Sequence, residues 1–331
     1  MTFYKIIRLI GIAATMVIAV PSVNAAEFSL SYFMGPKHPM NRAVFTPFAE
    51  KLSEASGGKL TVKQYPGGAL NSAPPKQYSI LIKGIADIAF GLSGYTGQLF
   101  PITNTVSVPG VCSDAVKCTE SLWRVFSLVE KEYDAKILAL WSNDPPVLIT
   151  KDKKVTSLDD LKGMKIRVAS KQQVPFIEAL GASAVSQPVS VINQNLANGT
   201  IDGIAIGASG IRSFKLHEPA NYIVTDFPGS GTAFFLLMNR KVFEDLSDEE
   251  KKWVGEASGK WLSENGGKVY KKAAVGGLKL AKSAGVEISQ FSDQEILRMN
   301  AAMVQAINSY RKQTFPSGIT GGEVVDLMKG E

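Results

Sequence analysis

Short apolar segments alternate with amphipathic ones through the first third of the chain. The strand-like segments end at turn-forming residues, Gly35-Pro36 after the first and Pro66-Gly67-Gly68 after the second. The predicted strands lie at 28–33, 60–65 and 85–90, and the predicted helices between them at 47–56 and 76–83. A β-α-β-α-β order of this kind predicts a parallel sheet with helices on its faces.

A second alternation begins beyond Pro145-Pro146, which interrupts the pattern and marks a predicted crossing between two lobes. Before this pair the pattern predicts a helix at 113–134 and a strand at 136–141. After it, strands are predicted at 164–168, 183–187, 201–206 and 222–225, with helical segments at 158–163, 172–180 and 189–197. The apolar segment 232–239 predicts a strand that returns the chain to the first lobe.

The C-terminal third begins with a strong helix start. Ser247 is a predicted N-cap and Glu250 stands at the third helical position, so the two form a capping box. A helical pattern then continues to about residue 283, with a kink predicted at Gly266-Gly267, and such a helix is long enough to bridge two lobes. A strand at 286–289, a helix at 293–314 and a mixed, Gly-rich end at 315–331 follow.

These patterns predict an α/β protein of two lobes, each a sheet flanked by helices. A chain of 331 residues is long for one compact core. The predicted bounds are 26–146 plus about 232–256 for lobe I and 147–231 plus about 257–331 for lobe II, with a helix at about 248–283 bridging both.

The N-terminus has the three-part layout of a secretory signal. Lys5 and Arg8 precede an apolar run at 9–20, and small residues stand before Ala26. We therefore expect a signal peptide at 1–25, cleaved after Ala25. The apolar run is shorter than the roughly 20 residues of a membrane span, and a retained N-terminal anchor is the alternative.

The formal charge of +6 falls to about +4 once Lys5 and Arg8 leave with the signal. The remaining excess is spread along the chain, which does not favour a nucleic-acid partner. This positive charge serves either the solubility of the protein or the attraction of anionic ligands, and the sequence does not decide between these two roles.

The two cysteines, Cys112 and Cys118, stand close together. In an exported protein such a pair is expected to close a small structural disulfide, with two unpaired thiols as the alternative. Their spacing fits neither a redox pair nor a four-ligand zinc site.

Catalytic and cofactor motifs are missing. The two histidines, His38 and His217, are far apart in sequence, and no ligand cluster has a metal-site spacing. Gly229-Ser230-Gly231 precedes a strand, whereas a dinucleotide-binding loop follows one. We predict no enzyme activity, cofactor or metal. A secreted α/β hydrolase with dispersed catalytic residues and a sensory module are rival hypotheses.

An ordered series of short motifs resembles the substrate-binding proteins of TRAP transporters, the DctP-like family of periplasmic receptors. The motifs are Gly-Pro-Lys-His-Pro-Met at 35–40, Tyr-Pro-Gly-Gly-Ala-Leu at 65–70, Gly-Ile-Ala-Asp-Ile-Ala at 84–89, Asp-Leu-Lys-Gly-Met-Lys-Ile-Arg at 160–167, Leu-Ala-Asn-Gly-Thr-Ile-Asp-Gly at 196–203 and Phe-Leu-Leu-Met-Asn at 235–239. The resemblance implies a type II-like periplasmic-binding-protein fold that closes on its ligand like a hinge, a periplasmic location, and a TRAP-type permease as partner of a monomeric receptor.

Arg167 is the leading candidate ligand residue. It stands at the C-terminal end of a predicted buried strand, where ligands bind in open α/β sheets, and a guanidinium binds a carboxylate through two parallel hydrogen bonds. On the residues alone, a salt bridge at the surface or between the lobes is the favoured alternative. The resemblance implies instead that Arg167 anchors the ligand carboxylate.

Five further residues are candidate walls of the site. Each has a structural alternative: a core aromatic for three of them, a turn cap for the asparagine, and support of the 35–40 loop for the histidine. They are Tyr95, Trp141, Asn143, His38 and Phe234.

Two departures from the family pattern shape the predicted ligand. The sequence reads Ile204-Ala205-Ile206 where many members have a Glu-Asn-Pro, and Val147-Leu148-Ile149-Thr150 where many have a second basic residue. We therefore expect a monocarboxylate with an apolar or aromatic body. A receptor for an uncharged or zwitterionic solute is the alternative.

Overall fold

The structure of the protein, a computed structural model, describes residues 26–331. The predicted signal segment at 1–25 lies outside the described residues, so cleavage after Ala25 stays a prediction. No helix within 26–331 combines the length and the hydropathy that crossing a membrane requires.

Two sheets contain the β-strands of residues 26–331. In chain order the strands are β1 (Ala26–Ser31), β2 (Leu60–Tyr65), β3 (Ile88–Leu92), β4 (Ala135–Ser142), β5 (Pro146–Thr150), β6 (Lys165–Val168), β7 (Ser183–Ser186), β8 (Gly203–Gly207), β9 (Tyr222–Val224), β10 (Ala233–Asn239) and β11 (Glu287–Ser289).

Helices cover the faces of both sheets. They are α1 (Thr46–Ala55), α2 (Gln77–Ile82), α3 (Pro101–Asn104), α4 (Ala115–Arg124), α5 (Phe126–Val129), α6 (Val174–Ala179), α7 (Ile192–Ala197), α8 (Gly210–Ser213), α9 (Arg240–Glu244), α10 (Asp248–Ala257), α11 (Lys260–Ser283), α12 (Asp293–Arg311) and α13 (Gly321–Lys329). A π-helical turn at Asn41–Phe45 leads into α1, and 3₁₀ turns occupy Pro74–Lys76, Ser93–Leu99, Thr105–Ser107, Glu130–Glu132, Leu158–Leu161 and Lys171–Gln173.

Sheet A has the strand order β2-β1-β3-β10-β4, and sheet B has the order β11-β9-β5-β8-β6-β7. In sheet A, β1 pairs in parallel with β2 and β3, while β10 runs antiparallel to β3 and β4. In sheet B, β6 is parallel to β7 and β8. The predicted α/β fold of two lobes is therefore confirmed, with β10 returning to the first sheet.

The sequence did not predict strand β5, helix α13 or the short helices α3, α8 and α9. Strand β5 begins at Pro146 and pairs antiparallel with β8 and β9, although the proline pair indicated only a break. Proline is compatible with the first residue of a strand because its missing N–H is not needed there. Helix α13 lies in the Gly-rich end, where Thr320 and Glu323 form a capping box.

The long C-terminal helical segment is divided at Gly259. Its φ of 99° and ψ of −151° are accessible to glycine, which lacks a β-carbon, and they separate α10 from α11. The predicted kink at Gly266-Gly267 is absent from the helix: both residues lie inside the uninterrupted α11.

The glycines of α11 serve close packing on both sheets. A β-carbon at Gly266 would lie 2.7 Å from the Trp141 ring of β4, in sheet A. A β-carbon at Gly277, nearer the other end of the helix, would lie 2.4 Å from the carbonyl oxygen of Ala208, which follows β8 in sheet B. Helix α11 therefore packs directly against both lobes.

The predicted disulfide between Cys112 and Cys118 is present. It lies beside the segment that precedes β10, since the Ser230 hydroxyl is 2.9 Å from Cys112 Sγ. A β-carbon at Gly231 would lie 2.8 Å from Cys118 Sγ. The disulfide thus supports one of the segments that cross between the lobes.

Replacing Gly277 by alanine should destabilise the protein by about 1–3 kcal/mol, because the new β-carbon would overlap the Ala208 backbone and force α11 outward. The matched control is Gly276→Ala in the same helix, where nothing lies within 4 Å of the added β-carbon. This control should gain roughly 0.5–1 kcal/mol from the higher helix propensity of alanine. Urea unfolding of the two variants measures both effects; equal stabilities would contradict the packing assignment.

Candidate ligand-binding site between the two sheets

A cavity of about 60 Å³ lies between the two sheets. A single water molecule needs about 10–15 Å³, so the space holds several waters or a compact organic molecule. The lining comes from both lobes and from α11. Its aromatic members are Phe33, Phe90, Tyr95, Phe214, Phe234 and Tyr270, and its polar members include His38, Asn143, Asp144, Arg167, Gln173, Ser209, Ser230 and Thr232.

Arg167 is the penultimate residue of β6, and its side chain lines this cavity. Its side chain is only 1 % exposed. The carbonyl oxygen of Gln187 accepts hydrogen bonds from Nε at 2.9 Å and from Nη2 at 2.7 Å. These bonds use the Nε and Nη2 side of the guanidinium, and Tyr95 also hydrogen-bonds the group, which leaves the remaining N–H donors for a further acceptor.

No carboxylate lies within 4 Å of the Arg167 guanidinium among residues 26–331. Burial lowers the pKa of Arg167, but an arginine stays protonated throughout the physiological range. A buried cation without a counter-ion is costly, because the charge has lost its hydration and gained no partner. The alternative of a salt-bridge arginine finds no acidic partner here.

Tyr95 joins the two lobes beside Arg167. It lies in the 3₁₀ turn after β3, and its hydroxyl accepts a hydrogen bond of 3.0 Å from the backbone N–H of Val189, on the side of sheet B. Burial raises the pKa of Tyr95, so the hydroxyl is neutral and can donate its own proton. Because this bond crosses the cleft, the structure is a closed form at this edge.

Close packing of glycines against the other lobe reinforces that closure. A β-carbon at Gly94 would lie 2.7 Å from Cβ of Ser170, and one at Gly97 would lie 2.3 Å from Oε1 of Gln172. Both glycines belong to the Tyr95 turn; a side chain at Gly94 would press on the Ser170 β-carbon and hold the cleft apart, whereas the end of the Gln172 side chain could move away from one at Gly97.

His38 follows β1 and lies in the wall of the cavity. Its Nδ1 accepts a hydrogen bond of 3.3 Å from the N–H of Met40, which places the proton of the neutral ring on Nε2. Burial lowers the pKa of His38 to about 4. The imidazole therefore both supports its own loop and offers a neutral N–H donor.

The aromatic wall is built in layers. Phe234 of β10 stacks on Phe90 of β3, with ring centroids 5.8 Å apart, and lies 5.1 Å from the ring of Tyr270. Trp141 lies behind these rings, fully buried against Phe90 and α11, and does not line the cavity. The structure thus brings Phe234 to the cavity and places Trp141 in the core.

Asn143 lies at the crossing from β4 to β5. Its Oδ1 accepts a 2.8 Å hydrogen bond from the N–H of Thr232, which fixes the two crossing segments to each other. Its Nδ2 points toward Gly207, where an added β-carbon would lie 2.6 Å away. Asn143 therefore joins two distant segments rather than capping a local turn, and it also borders the cavity.

Four aromatic wall residues were not predicted from the sequence: Phe33, Phe90, Phe214 and Tyr270. Tyr270 lies on the buried stripe of α11, at helical spacing from Gly266 and Ala274. Its hydroxyl donates no hydrogen bond to the described residues, and burial raises its pKa well above the ordinary value. The sequence feature that could have indicated Tyr270 is its place at helical spacing between two small residues, Gly266 and Ala274.

No cluster of three or more histidine, cysteine or carboxylate side chains suited to a metal ion occurs within residues 26–331. The cavity instead combines one cation that no carboxylate pairs among the described residues with the buried carboxyl of Asp144, neutral donors and apolar rings. Such an arrangement suits a small organic anion with an apolar body.

The chain belongs to the bacterial extracellular solute-binding proteins of family 7, the DctP family, whose model matches residues 30–313. The resemblance to TRAP transporter binding proteins is thereby confirmed. Among curated relatives, a Comamonas testosteroni protein described as the outer membrane transporter protein TsaT is 26% identical over 256 residues, covering 74% of this chain and 75% of that protein.

Solved structures of TRAP solute-binding proteins share the fold. One from a marine metagenome, specific for aromatic acid ligands and crystallised with 3-hydroxybenzoate, is 29% identical with a TM-score of 0.85, covering 92% of this chain and 97% of that one. Another, from Rhodoferax ferrireducens with copurified benzoate, is 24% identical with a TM-score of 0.86 and the same coverage of 92% and 97%. At 24% identity, this second structure shows a similarity of fold alone.

The buried neutral His38 should make stability depend on pH. Because the unfolded chain binds a proton near pH 6.5 and the folded protein near pH 4, its contribution is complete above 6.5 and is lost as the pH falls toward 4. This residue alone should lower the free energy of unfolding by about 2 kcal/mol between pH 7 and pH 5.

The measurement is urea unfolding at both pH values for wild type and for His38→Asn, whose side-chain oxygen can still accept the Met40 N–H. The difference between the two proteins isolates His38 from other titrating groups. His217→Gln, outside the cavity lining, is the matched control for the loss of a histidine. An identical slope in all three proteins would disprove the assignment.

Proposed function

We propose that this protein is an exported, periplasmic receptor that captures a small aromatic monocarboxylate by hinge closure and delivers it to a TRAP-type permease. One observation carries the proposal: a fully buried arginine without a carboxylate partner among the described residues lines a cavity walled by aromatic rings. A ligand carboxylate would supply the missing counter-ion.

The geometry of Arg167 supports a carboxylate rather than a single acceptor atom. Gln187 and Tyr95 use part of the guanidinium, and the remaining N–H donors would form charge-assisted hydrogen bonds with a ligand carboxylate. Tyr95, next to this guanidinium, and the Nε2–H of His38 are further donors at the cavity. Because these donors are neutral, they can hydrogen-bond the ligand without requiring it to carry a second negative charge.

The apolar remainder of the cavity supports an aromatic body. Rings of Phe90, Phe234 and Tyr270 form a continuous wall, and such walls favour offset or edge-on contacts with a ligand ring. The strand β5, which occupies the position of the second basic residue of many family members, is buried and uncharged. The aromatic acids bound by the marine metagenome relative are consistent with this choice.

Closure is the proposed signal to the permease. Ligand contacts with Arg167 from sheet B and with Phe234 from sheet A would add to the Tyr95–Val189 hydrogen bond, stabilising the closed form. We propose that the receptor acts as a monomer, without nucleic-acid or cofactor partners and without a catalytic step.

A zwitterionic ligand is a second candidate, favoured by one specific feature. Asp144 borders the cavity, and its Oδ2 is buried without a hydrogen-bond partner among the described residues, while Oδ1 accepts from the N–H of Ala115. Burial raises the pKa of this carboxyl. An aromatic amino acid would place its ammonium near Asp144 and its carboxylate at Arg167.

A thermal-shift panel tests both candidates on the mature protein. Benzoate, 3-hydroxybenzoate, phenylacetate, mandelate, succinate, galactonate, phenylalanine and uncharged benzamide should be compared at equal concentration. We expect stabilisation by the aromatic monocarboxylates; a ligand at 100 times its Kd adds about 2.7 kcal/mol. Stabilisation by phenylalanine alone would favour the zwitterion, and chemical turnover of a stabilising ligand would favour the hydrolase alternative.

Arg167→Gln should abolish the thermal shift with benzoate, because the carboxylate loses its charged anchor. Without ligand, this variant should melt at the wild-type temperature or above it, since a buried unpaired charge has been removed. Arg298→Gln, which removes an exposed arginine paired with Asp159, is the matched control and should keep the full ligand shift. An unchanged shift in Arg167→Gln would refute the anchor role.

A further inference from the structure

A wide groove of about 1100 Å³ lies outside the binding cavity, between the β1–α1 connection and the end of α8. Four cations line it: Lys37 and Arg42 from the side of sheet A, and Arg212 and Lys215 from the side of sheet B. No aspartate or glutamate belongs to its described lining. We refer to it as the cationic groove.

The charges of this groove are largely uncompensated. Among residues 26–331, no carboxylate lies within 4 Å of Lys37, Arg42 or Arg212. Lys215 lies 3.7 Å from Glu218, outside the lining. Four like charges placed together from two lobes create a positive potential that favours an anion between them.

The cationic groove leads directly to the binding cavity. Phe33, Met34, His38 and Phe214 belong to the linings of both. The rings of His38 and Phe214 come from opposite lobes, with centroids 6.3 Å apart, and stand at this boundary. Parting the lobes would separate these rings and connect the groove to Arg167.

The other side of the cavity is a poorer route for an anion. A second groove there is bounded by the Tyr95 turn and Lys171, its one charged lining residue among those described. Between this groove and the cavity, the Tyr95 hydroxyl is bonded to Val189. Gly94 packs closely on Ser170 at the same edge. Charge and packing therefore both favour the cationic groove.

We infer that the cationic groove is the route by which an anionic ligand reaches the cavity, and that its four charges accelerate association by attracting the carboxylate toward Arg167. This inference rests on the proposed function, because it assumes an anionic ligand. Long-range attraction of this kind acts on the association rate and leaves dissociation, governed by contacts inside the cavity, nearly unchanged.

The test compares stopped-flow binding kinetics of wild type with the fourfold variant Lys37→Gln, Arg42→Gln, Arg212→Gln and Lys215→Gln, using benzoate as the probe. At an ionic strength of about 10 mM, where charges act over about 30 Å, the variant should associate roughly ten-fold more slowly. Near 1 M salt the two association rates should converge, because the screening length falls to about 3 Å.

The matched control removes four exposed cations outside the groove with the same change in net charge: Lys131, Lys252, Lys279 and Lys312, each replaced by glutamine. Its association rate should stay within about two-fold of wild type. Equal slowing in both variants would refute a role for the groove and assign the effect to net charge. Faster dissociation in the groove variant would show direct contact with bound ligand instead, and would also overturn the inference.

The outcome separates this inference from the proposed function. If wild type and the groove variant have the same association rates at low and at high salt, the access route is rejected. The receptor proposal is unaffected by that result. If benzoate and every other carboxylate of the thermal-shift panel fail to bind wild type, both proposals are rejected.

Discussion

The uncompensated charge of Arg167 is the constraint on which the binding site depends. The guanidinium is held by a backbone carbonyl on one side, in a buried cavity with several aromatic rings in its wall. Folding the protein around this cation has a cost that folding alone does not recover. A ligand that neutralises the charge would recover part of that cost at the moment of binding, because the donors and rings of the site are already in place.

The layers around Arg167 have separable tasks. Tyr95 and its neighbouring glycines set how closely the two lobes approach. The hydrogen bond between Asn143 and Thr232 joins two of the segments that cross between the lobes. The rings of Phe90 and Phe234 move with sheet A and Arg167 moves with sheet B, so a bound molecule contacts both bodies.

The sequence predicted the fold well where a pattern was local. Strand β2 was predicted with its observed bounds because alternation and the following Pro-Gly-Gly are both short-range signals. Strand β5 was missed because a proline at a strand start resembles a break until its partners β8 and β9 are known. The sequence predicted the interruption of the long helix at Gly266-Gly267, whereas it occurs at Gly259. The sequence does not show which glycine has a positive φ and which one instead allows a close contact with a neighbour.

The site was harder to predict than the fold. Arg167 was found because a strand end and a family motif coincided on one residue. Phe234 and Trp141 pair across neighbouring strands, and alternation cannot tell which ring faces the cavity and which lies behind it. Tyr270 was missed because its helix lies far along the chain, and a helical pattern does not specify which surface its buried face will contact.

Helix α11 also limits how such a protein can evolve. Its backbone packs directly on Trp141 in one lobe and on Ala208 in the other, so neither lobe has a complete core without it. After α11 the chain contacts both lobes once more: α12 packs against α6 in one lobe, and α13 packs against α4 in the other. Recombination that exchanged one lobe for that of a relative would leave mismatched surfaces along the helix. New ligand preferences are therefore expected to arise through point substitutions in the cavity wall, with the two lobes kept together.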